Sequence, residues 1–290
     1  MQLSFMTNIL VKYGMTDFEA VTRWASENGF DAMEVGPTFP LDRELFEKTL
    51  AKYDMKISAL TYCRNYLSSD REEAQHHIEE LKKRIVFAGE LGVDKVVSST
   101  GINKKIAEGI YDSADSIRAT PVHSLDQVVE TFLPVIELAE KCGVRIAFEN
   151  CPLMGNIAIS PVMWRMIFDR LKTPAVGLAF DPSHLVWQFI DPYACIEEFI
   201  PHILHVHAKD MHVDRALLAQ TGFLTDFRWW SARIPGHGDI DWARLIGELR
   251  RCGYDGTISI EHEDKQYEGS LDRVLDGLKK SQALLRPLMQ

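Results

Sequence analysis

Four short stretches in the second half of the chain each end an apolar run in a potential metal ligand. They read IAFEN, LAFDPSH, HVHAKD and ISIEHED, and the ligands are Glu149, Asp181, His207 and Glu261. Two glutamates, one aspartate and one histidine make an oxygen-rich donor set. Such a set suits Mn²⁺ or Mg²⁺, tolerates Co²⁺ or Zn²⁺, and leaves a position open for a substrate oxygen. One such residue alone is typical of an ordinary polar strand end, but four in succession favour a shared site.

The elements that would bring these ligands together follow an alternating pattern. Short apolar runs alternate with longer amphipathic segments, which predicts eight strands, each followed by a helix. The predicted strands cover residues 3–10, 31–36, 56–62, 94–100, 144–150, 175–180, 203–210 and 257–263. Right-handed crossovers close such a series into a (β/α)8 TIM barrel, which the count of eight favours over a doubly wound sheet. The carboxyl ends of barrel strands meet at one mouth, where the four ligands would converge.

The predicted helices have recognisable ends. Three of them begin near a Ser, Thr or Asp and end at a glycine, which matches the capping preferences of helices. These three cover about 17–28, 70–91 and 124–142, and the others cover 41–53, 160–171, 191–201, 241–252 and 270–286. The connections 102–123 and 211–239 are long, and both fall on the face where barrel enzymes build their sites. No linker interrupts residues 1–290, so we expect a single barrel domain.

The composition limits the kinds of partner that the chain is expected to bind. The chain has 290 residues, 46% hydrophobic side chains and a net charge of −10, which opposes binding to nucleic acid. We expect a cytoplasmic protein with no membrane partner, because no basic segment precedes an apolar run at the N-terminus and every apolar run is too short to span a bilayer. The five cysteines are scattered and odd in number, which indicates free thiols.

The chain resembles the xylose isomerase-like barrels, which include sugar phosphate isomerases and epimerases, ketose 3-epimerases and inosose dehydratases or isomerases. The resemblance spans all eight βα units and is most specific in FEN, FDPSH, HVHAKD, IPGHGDIDW and GYDGTISIEHED. It implies one divalent metal ion, with Mn²⁺ preferred, on the four ligands named above. It also implies that His184 and Arg233 contact the substrate.

The resemblance further implies a mechanism. In the ketose epimerases, the two ligand glutamates face each other across the sugar, so Glu149 and Glu261 are the expected acid/base pair. One would remove a proton next to a carbonyl and the other would return one, while the metal ion stabilises the enediolate. The expected activity is that of a sugar isomerase or epimerase in carbohydrate metabolism.

Several further positions have two interpretations. Lys209 and Asp210 follow the histidine ligand, where neighbours often orient ligands, and the sequence does not show which of the two faces inward. His237, in the turn PGHGD, is either a substrate contact or an ordinary loop residue. Glu34, at the end of the second predicted strand, either enters the mouth or lies at the surface.

The long connection 211–239 carries an aromatic group formed by Phe223, Phe227, Trp229 and Trp230. Trp230 and its neighbours either stack on a sugar ring or aglycone as part of a lid, or pack at the interface of a homo-oligomer.

The turn PGHGDIDW could in principle hold a phosphate group at the start of the following helix, since it offers Gly236 and Gly238. However, Asp239 and Asp241 would place carboxylates where that phosphate should lie. The expected substrate is therefore an uncharged sugar, keto-sugar or glycoside.

Three other functions are compatible with parts of the pattern. A 3-keto-glycoside lyase, such as the catalytic subunit of a C-glycoside deglycosidase, would use the same barrel, the same ligands and the same proton abstraction, and the sequence does not separate it from an epimerase. An endonuclease IV-like nuclease would need histidines at the early strand ends, which here read LTYCRNY and VVSSTG. A binding protein without catalysis would leave the two glutamates unexplained.

Overall fold

The computed structural model of the chain describes residues 1–103, 122–153 and 155–290. Eight parallel strands form one sheet in the order β1-β10-β7-β6-β5-β4-β3-β2. The strands are β1 (Gln2–Phe5), β2 (Met33–Val35), β3 (Ile57–Tyr62), β4 (Lys95–Ser98), β5 (Arg145–Glu149), β6 (Val176–Phe180), β7 (Ile203–Ala208) and β10 (Thr257–Ile260). Apart from the pairing of β10 with β7 and β1, neighbours follow chain order, which confirms the predicted (β/α)8 TIM barrel.

The barrel is nearly closed, and the junction between β1 and β2 completes it. A single parallel bridge joins Met6 to Glu34, and the backbone N–H of Thr7 donates to the carbonyl oxygen of Glu34 at 2.9 Å. The N–H of Gly36 donates to Thr7 Oγ1 at 3.0 Å. A Cβ atom at position 36 would meet Asn8 Oδ1 at 1.5 Å, so a larger residue there would displace the side chain of Asn8.

Helices surround the sheet. They are α1 (Asn8–Lys12), α2 (Phe18–Glu27), α3 (Arg43–Tyr53), α4 (Arg71–Glu90), α5 (Leu125–Cys142), α6 (Pro161–Leu171), α7 (Pro182–Val186), α8 (Pro192–Phe199), α9 (Arg215–Thr225), α10 (Trp242–Arg251) and α11 (Leu271–Leu288). Several begin at an aspartate that caps the first turn, such as Asp17, Asp42 and Asp70. None of the helices in the described residues is long and apolar enough to cross a membrane.

The alternation of side chains along the strands separates two apolar regions. Large residues face the helices, whereas the inside of the barrel holds a small cluster that includes Ala59, Cys63, Val97, Ala147 and Ala179. Because side chains alternate with a period of two, the inward-facing positions continue past these small residues to the polar groups at the strand ends.

The boundary predicted for the first strand was wrong. The first strand was expected over residues 3–10, but it ends at Phe5, and Asn8–Lys12 form helix α1, which buries Ile9 and Leu10. A short apolar run does not distinguish a strand from a buried helical turn.

The second difference concerns the connection expected at 211–239. The seventh barrel strand ends at Ala208, and Asp210–Val213 form a new strand, β8, which pairs antiparallel with β9 (Trp230–Arg233). Helix α9 lies between these two strands. The other long connection, expected at 102–123, lies almost entirely outside the described residues.

Candidate metal centre and active site

The four predicted metal ligands lie together at the mouth of the barrel. Glu149, Asp181, His207 and Glu261 each offer one ligand atom, and these atoms lie within 4.8 Å of one another. All four side chains are buried. Glu149 ends β5 and Asp181 follows β6, while His207 lies in β7 and Glu261 follows β10. The adjacency of these strands in the sheet accounts for the convergence.

His207 presents its two ring nitrogens to opposite sides. Nδ1 lies 3.3 Å from Glu149 Oε1 and 3.4 Å from Glu261 Oε2, whereas Nε2 lies 3.1 Å from Glu34 Oε1. Burial alone would lower the pKa of His207, but Glu34 and the hydrogen bonds with Glu149 and Glu261 raise this pKa well above its usual value. His207 therefore connects the candidate metal centre to a second carboxylate behind it.

That second carboxylate, Glu34, is fully buried inside the barrel. Its Oε2 lies 2.9 Å from His205 Nε2, and its Oε1 accepts a hydrogen bond from Thr61 Oγ1 at 2.5 Å in addition to the contact with His207. Burial alone would raise the pKa of Glu34, but the charge of His207 lowers it well below its usual value. The structure therefore shows that the side chain of Glu34 points into the barrel and does not lie at the surface.

Lys209 lies among the carboxylates and is itself buried. Its Nζ is 2.8 Å from Glu261 Oε2, 3.0 Å from Asp181 Oδ2, 3.3 Å from Glu263 Oε2 and 3.1 Å from His184 Nε2. Burial alone would lower the pKa of Lys209, but the charges of Asp181 and Glu261 raise it well above its usual value. The ammonium group thus neutralises part of the negative charge at this site.

His184 lies in helix α7, directly after the ligand Asp181, and is buried. Its Nε2 lies 3.4 Å from Asp181 Oδ2 and 3.8 Å from Glu149 Oε1. On the other side, Trp187 Nε1 donates to His184 Nδ1 at 3.3 Å. Burial and the neighbouring charge of Lys209 lower the pKa of His184 to about 4, so the imidazole is neutral at physiological pH.

The chemistry of these residues fits a divalent cation. Asp181 Oδ2 is buried and accepts no hydrogen bond of normal geometry, even though the ammonium of Lys209 lies 3.0 Å away. Buried carboxylates are normally hydrogen-bonded, paired or bound to a metal ion. Three carboxylates and one imidazole nitrogen form a donor set for such an ion, and Glu149, Asp181, His207 and Glu261 are the residues that would hold it.

A cavity of about 720 Å³ opens over the candidate metal centre. Glu149 and Glu261 contribute to its wall, together with Trp230 and Arg233 from the β8–β9 hairpin. Arg233 Nη1 lies 3.4 Å from Asp264 Oδ1, and this contact holds its guanidinium group beside the cavity. A volume of this size accommodates a small organic ligand.

The family of this barrel follows from a comparison of its sequence with family models. The model described as the xylose isomerase-like TIM barrel matches residues 22–288. The chain belongs to the xylose isomerase-like TIM-barrel family. This confirms the family indicated by the sequence motifs.

Individual relatives support the same assignment. The chain is 30% identical to the uncharacterized protein YfiH of Bacillus subtilis (strain 168) over 302 residues, which cover 91% of this chain and 93% of that protein. It is 24% identical to an inosose dehydratase of Clostridium perfringens (strain 13 / Type A) over 241 residues, or 81% of this chain and 78% of the enzyme.

Two solved structures have the same xylose isomerase-like fold. The 3-keto-D-glucoside 4-epimerase YcjR from E. coli superposes with a TM-score of 0.74 at 14% identity, and 99% of each chain is covered. The IolI protein with a bound zinc atom superposes with a TM-score of 0.71 at 20% identity, again over 99% of each chain. These relatives include enzymes and a metal-binding protein.

The residues that the sequence predicts to contact the substrate occupy different positions in this barrel. Arg233 and Trp230 line the cavity, whereas His184 and Lys209 contact the ligand residues beneath it. His237 is exposed, does not line the cavity, and lies edge-on to Tyr267 at 5.5 Å between ring centroids. The structure therefore does not bring His237 to the other predicted site residues.

The four aromatic residues of the long connection also differ in their positions. Trp230 stacks on Trp187, with ring centroids 5.0 Å apart and planes 10° from parallel, and it faces the cavity. Trp229 is 1% exposed, whereas Phe223 and Phe227 are 57% and 60% exposed. Only Trp230 and Phe227 of the four line the cavity.

Three residues that support the site were not predicted from the sequence. Cys63 Sγ donates to Glu149 Oε2 at 3.7 Å, and burial raises the pKa of this thiol, which keeps it protonated. Trp187 supports both Trp230 and His184. His205 contacts Glu34, and the alternation His205-Val206-His207 was a signal for it, because it places both histidines on the same face of one strand.

Proposed function

We propose that this chain is a divalent-metal-dependent sugar isomerase or epimerase. The observation that carries the proposal is that Glu149 and Glu261 belong both to the candidate metal ligands and to the wall of one cavity. Two carboxylates at such a point can exchange protons with a carbon of the bound substrate. The names of two relatives, inosose dehydratase and 3-keto-D-glucoside 4-epimerase, support a sugar-like substrate that carries a carbonyl group.

When bound, a divalent ion, with Mn²⁺ as our preferred choice, would supply positive charge that stabilises an enediolate of the substrate. The two glutamates would carry out the proton transfers. One glutamate, as a carboxylate, removes the proton from the carbon next to the carbonyl. The other, in its acid form, returns a proton, so that the two glutamates end the cycle with their roles exchanged. Cys63 holds Glu149 in place through the contact with Oε2.

Other residues would orient the substrate and the carboxylates. Lys209 keeps Asp181 ionised, since its charge lowers the pKa of that aspartate to about 2 against the opposing effect of burial. Arg233 and Trp230 would contact the part of the sugar that lies further from the metal centre. His184 lies beneath the cavity, where it would steady Glu149 and Asp181, and its contact with the substrate stays a prediction from the sequence. A role for His237 stays a prediction from the sequence.

The turn before helix α10 supports an uncharged substrate. The side chain of Asp241 accepts a hydrogen bond from the backbone N–H of Arg244, and thereby caps the first turn of the helix. Asp239 Oδ2 accepts from the N–H of Val213. A carboxylate already occupies the helix end where a phosphate group would bind, which argues against a sugar phosphate.

A second candidate function is cleavage of a 3-keto-glycoside. The observation that favours it is that part of the cavity wall is apolar, since Phe227, Trp230 and Pro37 line the same cavity as the two glutamates. Such a wall suits the aglycone of a glycoside. The same proton abstraction would then expel the aglycone instead of inverting a carbon centre.

Deuterium incorporation distinguishes these functions. The protein, loaded with Mn²⁺, would be incubated in D₂O with a panel of ketoses and 3-keto-glycosides, and the products would be analysed by NMR after removal of the metal ion. Deuterium in an isomerised or epimerised sugar supports the first proposal, and release of an aglycone supports the second. Failure of every substrate to incorporate deuterium, with metal bound, would contradict both.

A further inference from the structure

The buried carboxylate of Glu34 makes contacts that determine how His207 can act. Both of its oxygens are engaged by histidines of strand β7: Oε1 by His207 Nε2 at 3.1 Å and Oε2 by His205 Nε2 at 2.9 Å. Thr61 Oγ1 donates to Oε1 as well. The backbone of Glu34 is held at the β1–β2 junction by the bridge to Met6. The position of this carboxylate is therefore fixed from several sides.

The contact with Glu34 determines which ring nitrogen of His207 carries a hydrogen atom. An ionised carboxylate only accepts hydrogen bonds, so the nitrogen of His207 that faces Glu34 must carry a hydrogen atom. This nitrogen is Nε2. In the neutral ring, the lone pair then lies on Nδ1, which faces Glu149 and Glu261. A metal ion binds a histidine through such a lone pair.

We propose that Glu34 is a positioning residue that fixes the Nε2–H tautomer and the ring orientation of His207, so that Nδ1 is presented to the metal centre. This inference rests on the metal centre of the proposed function. Carboxylates that accept a hydrogen bond from a metal-ligating histidine commonly orient the ring and increase its basicity. His205 holds the opposite oxygen of Glu34 and prevents that carboxylate from rotating away.

The test compares two isosteric substitutions. Glu34→Gln removes the negative charge and offers an amide that can donate as well as accept, so it no longer specifies the tautomer of His207. We expect Mn²⁺ to bind this variant roughly 10- to 100-fold more weakly than the parent protein, as measured by calorimetry. Asp210→Asn is the matched control. Asp210 is also fully buried and accepts from Ile240 N, Gly236 N and Trp242 Nε1, without contact to the candidate ligands.

A spectroscopic measurement separates positioning from a general loss of stability. In ¹⁵N-histidine-labelled protein loaded with Zn²⁺, we expect His207 of the parent to show the Nε2–H tautomer, with Nδ1 bound to the metal ion. Glu34→Gln should lose this preference, while Asp210→Asn should keep both the tautomer and the Mn²⁺ affinity. Equal loss of affinity in the two variants would indicate a merely structural role and overturn the inference.

The remaining outcomes are also decisive. If the parent binds Mn²⁺ and Glu34→Gln binds it equally well, the inference fails while the proposed function stands. If the parent binds no divalent ion, the metal centre and the inference both fail. Should Glu34→Gln not fold, the spectrum of the parent still decides, because an Nδ1–H tautomer of His207 in the metal-loaded protein would contradict the proposal.

Discussion

The ammonium nitrogen of Lys209 lies 2.8 Å from Oε2 of Glu261, a carboxylate that is also a candidate metal ligand. The same ammonium lies 3.0 Å from Oδ2 of Asp181. A lysine and a divalent ion would thus share the charge of the same two carboxylates. This arrangement gives the metal-free protein partial neutralisation of its buried negative charge, and it connects metal binding to the stability of the barrel.

Replacement of Lys209 by Met tests this connection. In metal-free protein at neutral pH, we expect Lys209→Met to lower the free energy of unfolding by roughly 3–5 kcal/mol, because buried carboxylates lose their partner. Saturating Mn²⁺ should restore most of this loss, since the ion then neutralises the same groups. Urea unfolding followed by circular dichroism, with and without Mn²⁺, measures both effects.

The matched control is Lys12→Met. Lys12 also pairs with a glutamate that lies beside the cavity, but its side chain is 58% exposed. We expect a change below about 1 kcal/mol, with or without metal. A Lys209→Met protein as stable as the parent, or one that Mn²⁺ does not rescue, would contradict the expected sharing of charge.

Metal content is the second prediction. The purified protein should bind one divalent ion per chain, and His207→Ala or Asp181→Ala should abolish both binding and activity, because each removes one of only four ligands. Elemental analysis after dialysis against Mn²⁺ measures the occupancy. His212→Ala, which alters an exposed histidine paired with Asp239, serves as the control. Full occupancy in the His207 and Asp181 variants would exclude this ligand set.

The third prediction concerns the acid/base pair. Glu149→Gln or Glu261→Gln keeps the size of the side chain but removes its basic oxygen, so turnover should fall by roughly 10² or more. The rates must be compared at saturating Mn²⁺, with bound metal quantified in each sample. Glu248→Gln, remote from the cavity, controls for the substitution itself. A metal-saturated Glu261→Gln enzyme with near-normal turnover would refute the two-glutamate mechanism.

The fourth prediction separates the roles of the aromatic residues. Trp230 faces the cavity, so Trp230→Ala should lower kcat/KM roughly tenfold, for a loss of about 1.4 kcal/mol of aromatic contact, with no change in molecular mass. Phe223 is exposed and lies outside the cavity lining, so Phe223→Ser tests an interface. Light scattering measures the mass. Dissociation of an oligomer in Trp230→Ala before any loss of activity would assign this residue to an interface instead.

The convergence of the four candidate ligands could be predicted from the sequence because each of these residues directly follows an apolar run, and parallel barrel strands bring their ends together. Glu34 could not be assigned in the same way. Its two histidine partners are on β7, which is not a neighbour of β2 in the sheet, and only the closed barrel brings these two strands face to face across its interior.

The β8–β9 hairpin was missed for a related reason. Asp210–Val213 continues almost directly from β7, and its pairing with Trp230–Arg233 depends on a contact across the intervening helix. For His237, the glycine-rich turn indicated a loop near the active face, but not the direction of the side chain. Its contact with Tyr267 involves a residue from a later segment of the chain.

The junction between β1 and β2 is the least connected part of the barrel wall, because a single bridge spans it. The other neighbouring strands are each joined by three or four residue pairs, so local opening separates the fewest paired residues at this junction. Met6 and Pro37, on either side of this junction, also line the cavity. Glu34 lies at this junction and contacts His207. Local opening of the junction would therefore widen the cavity and weaken the contact between Glu34 and His207 at the same time. Local opening of the barrel would thus connect the width of the cavity to the position of a candidate metal ligand.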